Sequence, residues 1–134
     1  MEQIEIAQRY YEAIIEHLMV EYPLEGCGLL AGREGVVTAV YPITNILRNP
    51  TAYEMEPVQQ IKTILQIEQN NEELLAIYHS HPNGPSVPSE TDITAAYYPD
   101  SVYLIVSMEE VQKPQMRGFY IVDGIVSELL VKIN

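Results

Sequence analysis

The chain contains one cysteine, Cys27, in 134 residues. No intramolecular disulfide can form, which fits a reducing, cytoplasmic setting. Basic residues are also scarce: 7 Lys and Arg stand against 19 Asp and Glu, for a net charge of −12. Such a surface repels nucleic acid. Its plainest meaning is solubility, although a basic partner would be attracted. Long apolar runs are missing. The longest, such as Leu74 to Tyr78 and Tyr103 to Val106, fall far short of the ~20 residues of a membrane helix, so no membrane span is expected. The opening MEQIEIAQRY lacks the basic start and apolar stretch of a signal peptide. Hydrophobic residues make up 47% and charged residues 19%, which argues for a globular fold over disorder. Residues 1–134 read as one domain, large enough to bury about two-thirds of its unfolded surface.

Periodicity supplies the elements. Ile4, Ala7, Tyr11, Ile14, Leu18 and Tyr22 recur at helical spacing, and Pro23 ends that helix. Leu29 to Gly32 and Val36 to Ile43 form a hairpin across Arg33-Glu34-Gly35. Residues Asn45 to Glu56 are irregular, broken at Asn49-Pro50. A second helix starts at Pro57, with Val58, Ile61, Ile64 and Leu65 as its inner face, and ends at Asn70-Asn71. Leu74 to Tyr78 reads as a central strand. Ser89 to Tyr97 is a short helix. Val102 to Val106, Gln115 to Val122 and Ile125 to Ile133 are three more strands, the last two joined at Asp123-Gly124. The class is α/β, a mixed β-sheet packed by helices.

Chemistry concentrates in His79-Ser80-His81-Pro82, followed after six residues by Ser89-Glu90-Thr91-Asp92. In an extended backbone residues i and i+2 share a face, so His79 and His81 can converge on one ion. Pro82 places the pair at a strand end. Asp92, in the first turn of a helix, offers a third donor. Two imidazoles and a carboxylate make the open three-ligand set of a catalytic zinc site. Each half also has an ordinary reading. His-x-His can be a polar strand end, and Ser89-x-x-Asp92 a capping box.

Together the halves resemble the signature of the JAMM (MPN-plus) zinc isopeptidases: His-Ser/Thr-His-Pro, six residues, Ser, two residues, Asp. Every fixed position matches. The resemblance extends to Glu25-Gly26-Cys27-Gly28-Leu29-Leu30, where the family has a glutamate ahead of a glycine-rich strand, and to the order of elements along nearly the whole chain. It implies the JAMM/MPN fold, related in architecture to cytidine deaminases. A deaminase itself is disfavoured, because its signature needs Pro-Cys-x-x-Cys and Cys27 stands alone.

By that resemblance one Zn2+ per chain sits on His79, His81 and Asp92. Glu25 takes the proton of the metal's water and returns it to the leaving amine. Ser89 steadies the oxyanion; its ordinary role is helix N-cap. Among the other reactive residues, Cys27 reads as a buried structural thiol and His17 as a surface or boundary residue. Glu90 reads as a solvated carboxylate. Tyr53 and Met55 read as groove or core. The compact form resembles bacterial and archaeal enzymes that act on ubiquitin-like or sulfur-carrier proteins ending in Gly-Gly. It lacks the long insertions that read polyubiquitin linkages and the residues for an accessory zinc. Three functions stay open: an isopeptidase, a hydrolase releasing an amino acid such as cysteine from a sulfur carrier, and a non-catalytic MPN scaffold. The scaffold reading is weakest, since all five site residues are present. Oligomeric state stays open, a homodimer included.

Overall fold

The computed structural model describes residues 2–134. The order is β1 (Gln3–Ile6), α1 (Gln8–Glu21), β2 (Cys27–Arg33), β3 (Val36–Ile43), α2 (Pro57–Gln69), β4 (Glu73–His81), α3 (Glu90–Thr94), β5 (Val102–Ser107), β6 (Gln115–Val122) and β7 (Ile125–Ile133). The strands form one mixed sheet, β1-β3-β2-β4-β5-β6-β7, which closes where β7 meets β1. β4 runs antiparallel to β2 and parallel to β5. The expected α/β class and mixed sheet are observed.

Side-chain alternation splits the interior into two clusters. One joins Leu30, Ala76, Tyr78, Leu104 and Val106 to Ile14 and Leu18 of α1. Burying each of those two helix residues contributes about 1.5–3 kcal/mol. The other joins Cys27, Leu29, Ile77 and Ile105 to Met55, with Tyr53 and Ile64 packed against it. Gly28 faces the first cluster. A Cβ there would stand 2.3 Å from the Tyr78 ring, so only glycine lets that ring cross β2.

Both hairpin turns behave as expected. Glu34 and Gly35 have φ of 51° and 78°, Asp123 and Gly124 of 51° and 77°, the left-handed pair that a tight two-residue turn requires. Pro57 opens α2, and the Glu56 carboxylate accepts from the Gln59 N–H at 2.7 Å.

Three expectations change. The first helix does not begin at Ile4. Ile4 and Ile6 are buried on alternate positions of β1, and α1 starts at Gln8. At a junction, spacings of two and of three to four coexist, and pairing with β7 decided for strand. The inner face of α2 is also rotated. Val58, Ile61 and Leu65 are 56%, 60% and 51% exposed, while Ile64 packs inward and Ile67 is fully buried. Finally, α3 is shorter than Ser89 to Tyr97: Ser89 is its cap and Thr94 its last residue.

Candidate metal centre

The strand β4 runs through the whole His-Ser-His triplet, three residues past the apolar segment expected to form it. His79 pairs with Cys27 of β2 and Ile105 of β5, so it is fixed from both sides. Pairing of α3 with its cap supplies the other half. The Ser89 hydroxyl accepts from the Asp92 N–H at 3.1 Å, and the Ser89 N–H donates to Asp92 Oδ2 at 3.0 Å. This capping box turns the Asp92 carboxylate toward β4.

Donor atoms of three residues converge. His79 Nε2 stands 3.1 Å from His81 Nε2 and 3.2 Å from Asp92 Oδ1, and His81 Nε2 stands 3.0 Å from Asp92 Oδ2. Donors about 2.0–2.1 Å from a tetrahedral ion stand about 3.3 Å apart. These separations suit a zinc shell to which each imidazole gives Nε2 and Asp92 gives a carboxylate oxygen, and these residues can hold a metal ion. Burial works to raise the Asp92 carboxyl, but hydrogen bonds to both histidines outweigh it and hold it far below the usual carboxylate range. Burial lowers His79. An ionised carboxylate and a neutral imidazole are the forms that bind metal.

The two histidines are secured differently. His81 Nδ1 lies 2.7 Å from the Pro85 carbonyl, an acceptor that fixes the ring with Nε2 toward the centre. His79 Nδ1 is buried with no partner. Its ring instead stacks on Tyr53, with centroids 4.6 Å apart.

Glu25 is brought to this centre from far along the chain. It is 4% exposed, and burial raises its carboxyl to about 7, with His81 pulling it down and Asp92 pushing it up. Its Oε1 has no hydrogen-bond partner. The link to β4 runs through the next residue. The Gly26 N–H donates to Ser80 Oγ at 2.9 Å, and the Ser80 N–H donates to the Gly26 carbonyl at 3.0 Å. The serine between the two histidines thus holds the chain beside Glu25. Two clefts flank the donors. One of about 250 Å³ lies against Asp92 and Tyr53, walled by Met55, Tyr97, Tyr98 and Tyr103. The other, about 300 Å³, is lined by Glu25, Ser89 and His81 among Pro85, Val87 and Pro88.

The five residues singled out from sequence thus gather at one place. Cys27 is a buried thiol, pushed up to about 12 by burial, and is inert. Glu90 is exposed, as expected. Three things were not foreseen. His17 sits at the boundary of the core, as expected, but its contact with Tyr78 was not expected. Burial lowers the His17 pKa and pushes the Tyr78 phenol far up, and His17 Nδ1 and the Tyr78 hydroxyl share a hydrogen bond of 2.7 Å. Tyr53 stacks on the His79 ring as well as lining a groove. Asn45, in the irregular segment, contacts the Glu25 main chain; no local pattern announces a side chain that works through distant backbone.

A family profile described as prokaryotic homologs of the JAB domain matches residues 7–121. A CysO-cysteine peptidase of Mycobacterium tuberculosis is 37% identical over 123 residues, covering 90% of this chain and 84% of that protein. A desampylase of Pyrococcus furiosus is 35% identical over 102 residues, 76% and 72% of the two chains. A solved structure from Desulfitobacterium hafniense superposes with a TM-score of 0.88 at 33% identity, covering 98% and 92%. Among the described residues, no helix is long and apolar enough to cross a membrane.

Proposed function

Because the chain belongs to the family of prokaryotic JAB-domain proteins, the compact branch of the JAMM group, we propose that it is a zinc-dependent peptidase cleaving after the C-terminal Gly-Gly of a ubiquitin-like or sulfur-carrier protein. The observation that carries this is the triangle of His79, His81 and Asp92 with an unpartnered, buried Glu25 carboxyl beside it. One zinc per chain fits the three donors. When bound, it supplies a Lewis acid that brings water ionisation to about pH 7.

The chain's own residues then divide the work. Glu25, held near 7 by burial, accepts the proton of the attacking water and delivers it to the leaving nitrogen. Matching a group's pKa to the working pH favours both transfers. The Ser89 oxygen spends one lone pair on the helix cap and keeps its hydrogen, which it donates to the developing oxyanion. The cap and the catalytic role are thus compatible. Glu25 lines the cleft on the Ser89 side and not the tyrosine-walled one. The leaving amine therefore sits with Glu25, and the tail approaches past Tyr53.

Glycine at the tail end has a physical reason: a side chain would hold the backbone away from the attacked carbonyl. A displacement of about 1 Å costs on the order of 10²-fold in rate. The test is a matched pair of ubiquitin-like fusions ending in Gly-Gly and Gly-Val before the scissile bond, with excess chelator as blank. Gly-Gly should be cleaved about 10²-fold faster. Equal rates would remove tail recognition, and no cleavage of either would remove the peptidase reading.

The second reading, release of a free amino acid from a sulfur carrier, is supported by the likeness to a CysO-cysteine peptidase. Intact-mass analysis of carrier fusions bearing a single added cysteine or a lysine-linked peptide separates the two.

A further inference from the structure

We infer that Asn45 is a positioning residue for Glu25, tying the main chain of the proposed base to the loop that carries Tyr53. This rests on the catalytic reading of Glu25 given above. Asn45 is 8% exposed and follows β3. Its Nδ2 donates to the Glu25 carbonyl at 2.9 Å and to the Ala52 carbonyl at 3.1 Å. Its Oδ1 accepts from the Leu47 N–H at 3.0 Å and the Glu54 N–H at 3.1 Å. An asparagine side chain offers two donor hydrogens and two acceptor lone pairs, and all are used, each on main chain.

The consequence for Glu25 is specific. Its carbonyl is held by Asn45, and its N–H donates to the Asn49 carbonyl at 3.0 Å. Both of its backbone polar groups therefore end on the short segment 45–49. The next residue, Gly26, is held on both groups by Ser80. At the far end of the side chain, Oε1 is buried and has no partner. The place of that carboxylate atom is thus set from the backbone outward. Proton transfer needs the base within hydrogen-bond reach of the water, so a small backbone shift is felt directly in rate.

Asn45 also fixes the residues on either side of Tyr53, through Ala52 and Glu54. The ring stacked on His79 and the carboxylate of Glu25 therefore share one anchor. A buried amide with four main-chain bonds sets both sides of the reacting centre without touching it.

The decisive variant is Asn45→Asp. It keeps the shape and both acceptor bonds, and it turns the two donor bonds into contacts between a carboxylate and carbonyl oxygens. With zinc content unchanged, kcat on the Gly-Gly fusion should fall ~10- to 100-fold while KM stays within about threefold. The same change in a Glu25→Gln background should lower the residual rate by less than about threefold, because the group being positioned is gone. Fully additive losses would overturn the inference, as would an unchanged kcat. Amide hydrogen exchange reads the clamp without turnover. In Asn45→Asp the Glu25 amide should exchange at least ~10-fold faster while Ile77 and Leu104 keep their protection. Unchanged protection at Glu25 overturns the inference whatever the protein cleaves. A wild type that cleaves no fusion counts against the proposed function instead, and the exchange data then judge Asn45 alone.

Discussion

The two halves of the metal centre are built by different means. His79 and His81 stand at the end of β4, a strand bonded on both edges and buried over its last seven residues. Asp92 and Ser89 belong to a five-residue helix with no buried residue, approached through a loop with prolines at 82, 85 and 88. The strand half is organised by the core. The helix half is held by one capping box, by the contacts of Asp92 with the two imidazoles and by Ile93 packed on the second cluster. The two histidines are thus placed on the more deeply buried element, and Ser89 and Asp92 on the less buried one.

The largest expected effect comes from breaking the strand half. His79→Ala combined with His81→Ala should abolish stoichiometric zinc, read by elemental analysis. Asp92→Asn keeps an oxygen donor and its place at the helix start, and should weaken zinc by at least the ~10- to 100-fold typical of an outer-shell partner. Zinc content like wild type in the double histidine variant would sink the site.

A smaller effect sharpens the helix half. Ser89→Ala removes both cap and hydroxyl, and should cost about 1 kcal/mol of stability together with on the order of 10²-fold in kcat. Ser89→Asn restores a cap acceptor without the hydroxyl. Its stability should return while kcat stays low. Full turnover in Ser89→Asn would reduce Ser89 to a cap.

The last effect is on folding alone and leaves the metal centre out. Burial raises the Glu25 carboxyl from 4.5 to about 7, so ionising it is harder in the folded chain than in the unfolded one. Its penalty is absent below about pH 4.5, grows as pH rises to about 7, and persists above. In metal-free protein, Glu25→Gln should therefore be more stable than wild type at pH 8, by up to about 3 kcal/mol, and equal to it near pH 4. Thermal melts at the two pH values measure this. The metal-free state is the right one, because a bound cation would draw the carboxyl down again.

The same contrast explains what could be read from sequence. The convergence of His79, His81 and Asp92 is legible because strand alternation and helix capping are local rules, and both act within fourteen consecutive residues, 79–92. Glu25 was legible only through family likeness, since its approach depends on Gly26 meeting Ser80 across two strands. Asn45 and the Tyr53 stack were not legible, because an irregular loop has no period to read. The α2 face was misassigned for a related reason. Val58, Ile61 and Leu65 satisfy helical spacing as well as Ile64 and Ile67 do, and only the position of the sheet chooses between the stripes.

If Glu25 performs the proton transfers at a metal held by other residues, its loss should stop turnover and spare the metal. The most direct measurement is the turnover of zinc-loaded Glu25→Gln against wild type on one Gly-Gly fusion, with zinc counted in the same samples. Both proteins should carry one zinc per chain, and the variant's rate should be lower by ~10²-fold or more. Undiminished turnover with zinc in place would contradict it and move the role to another residue.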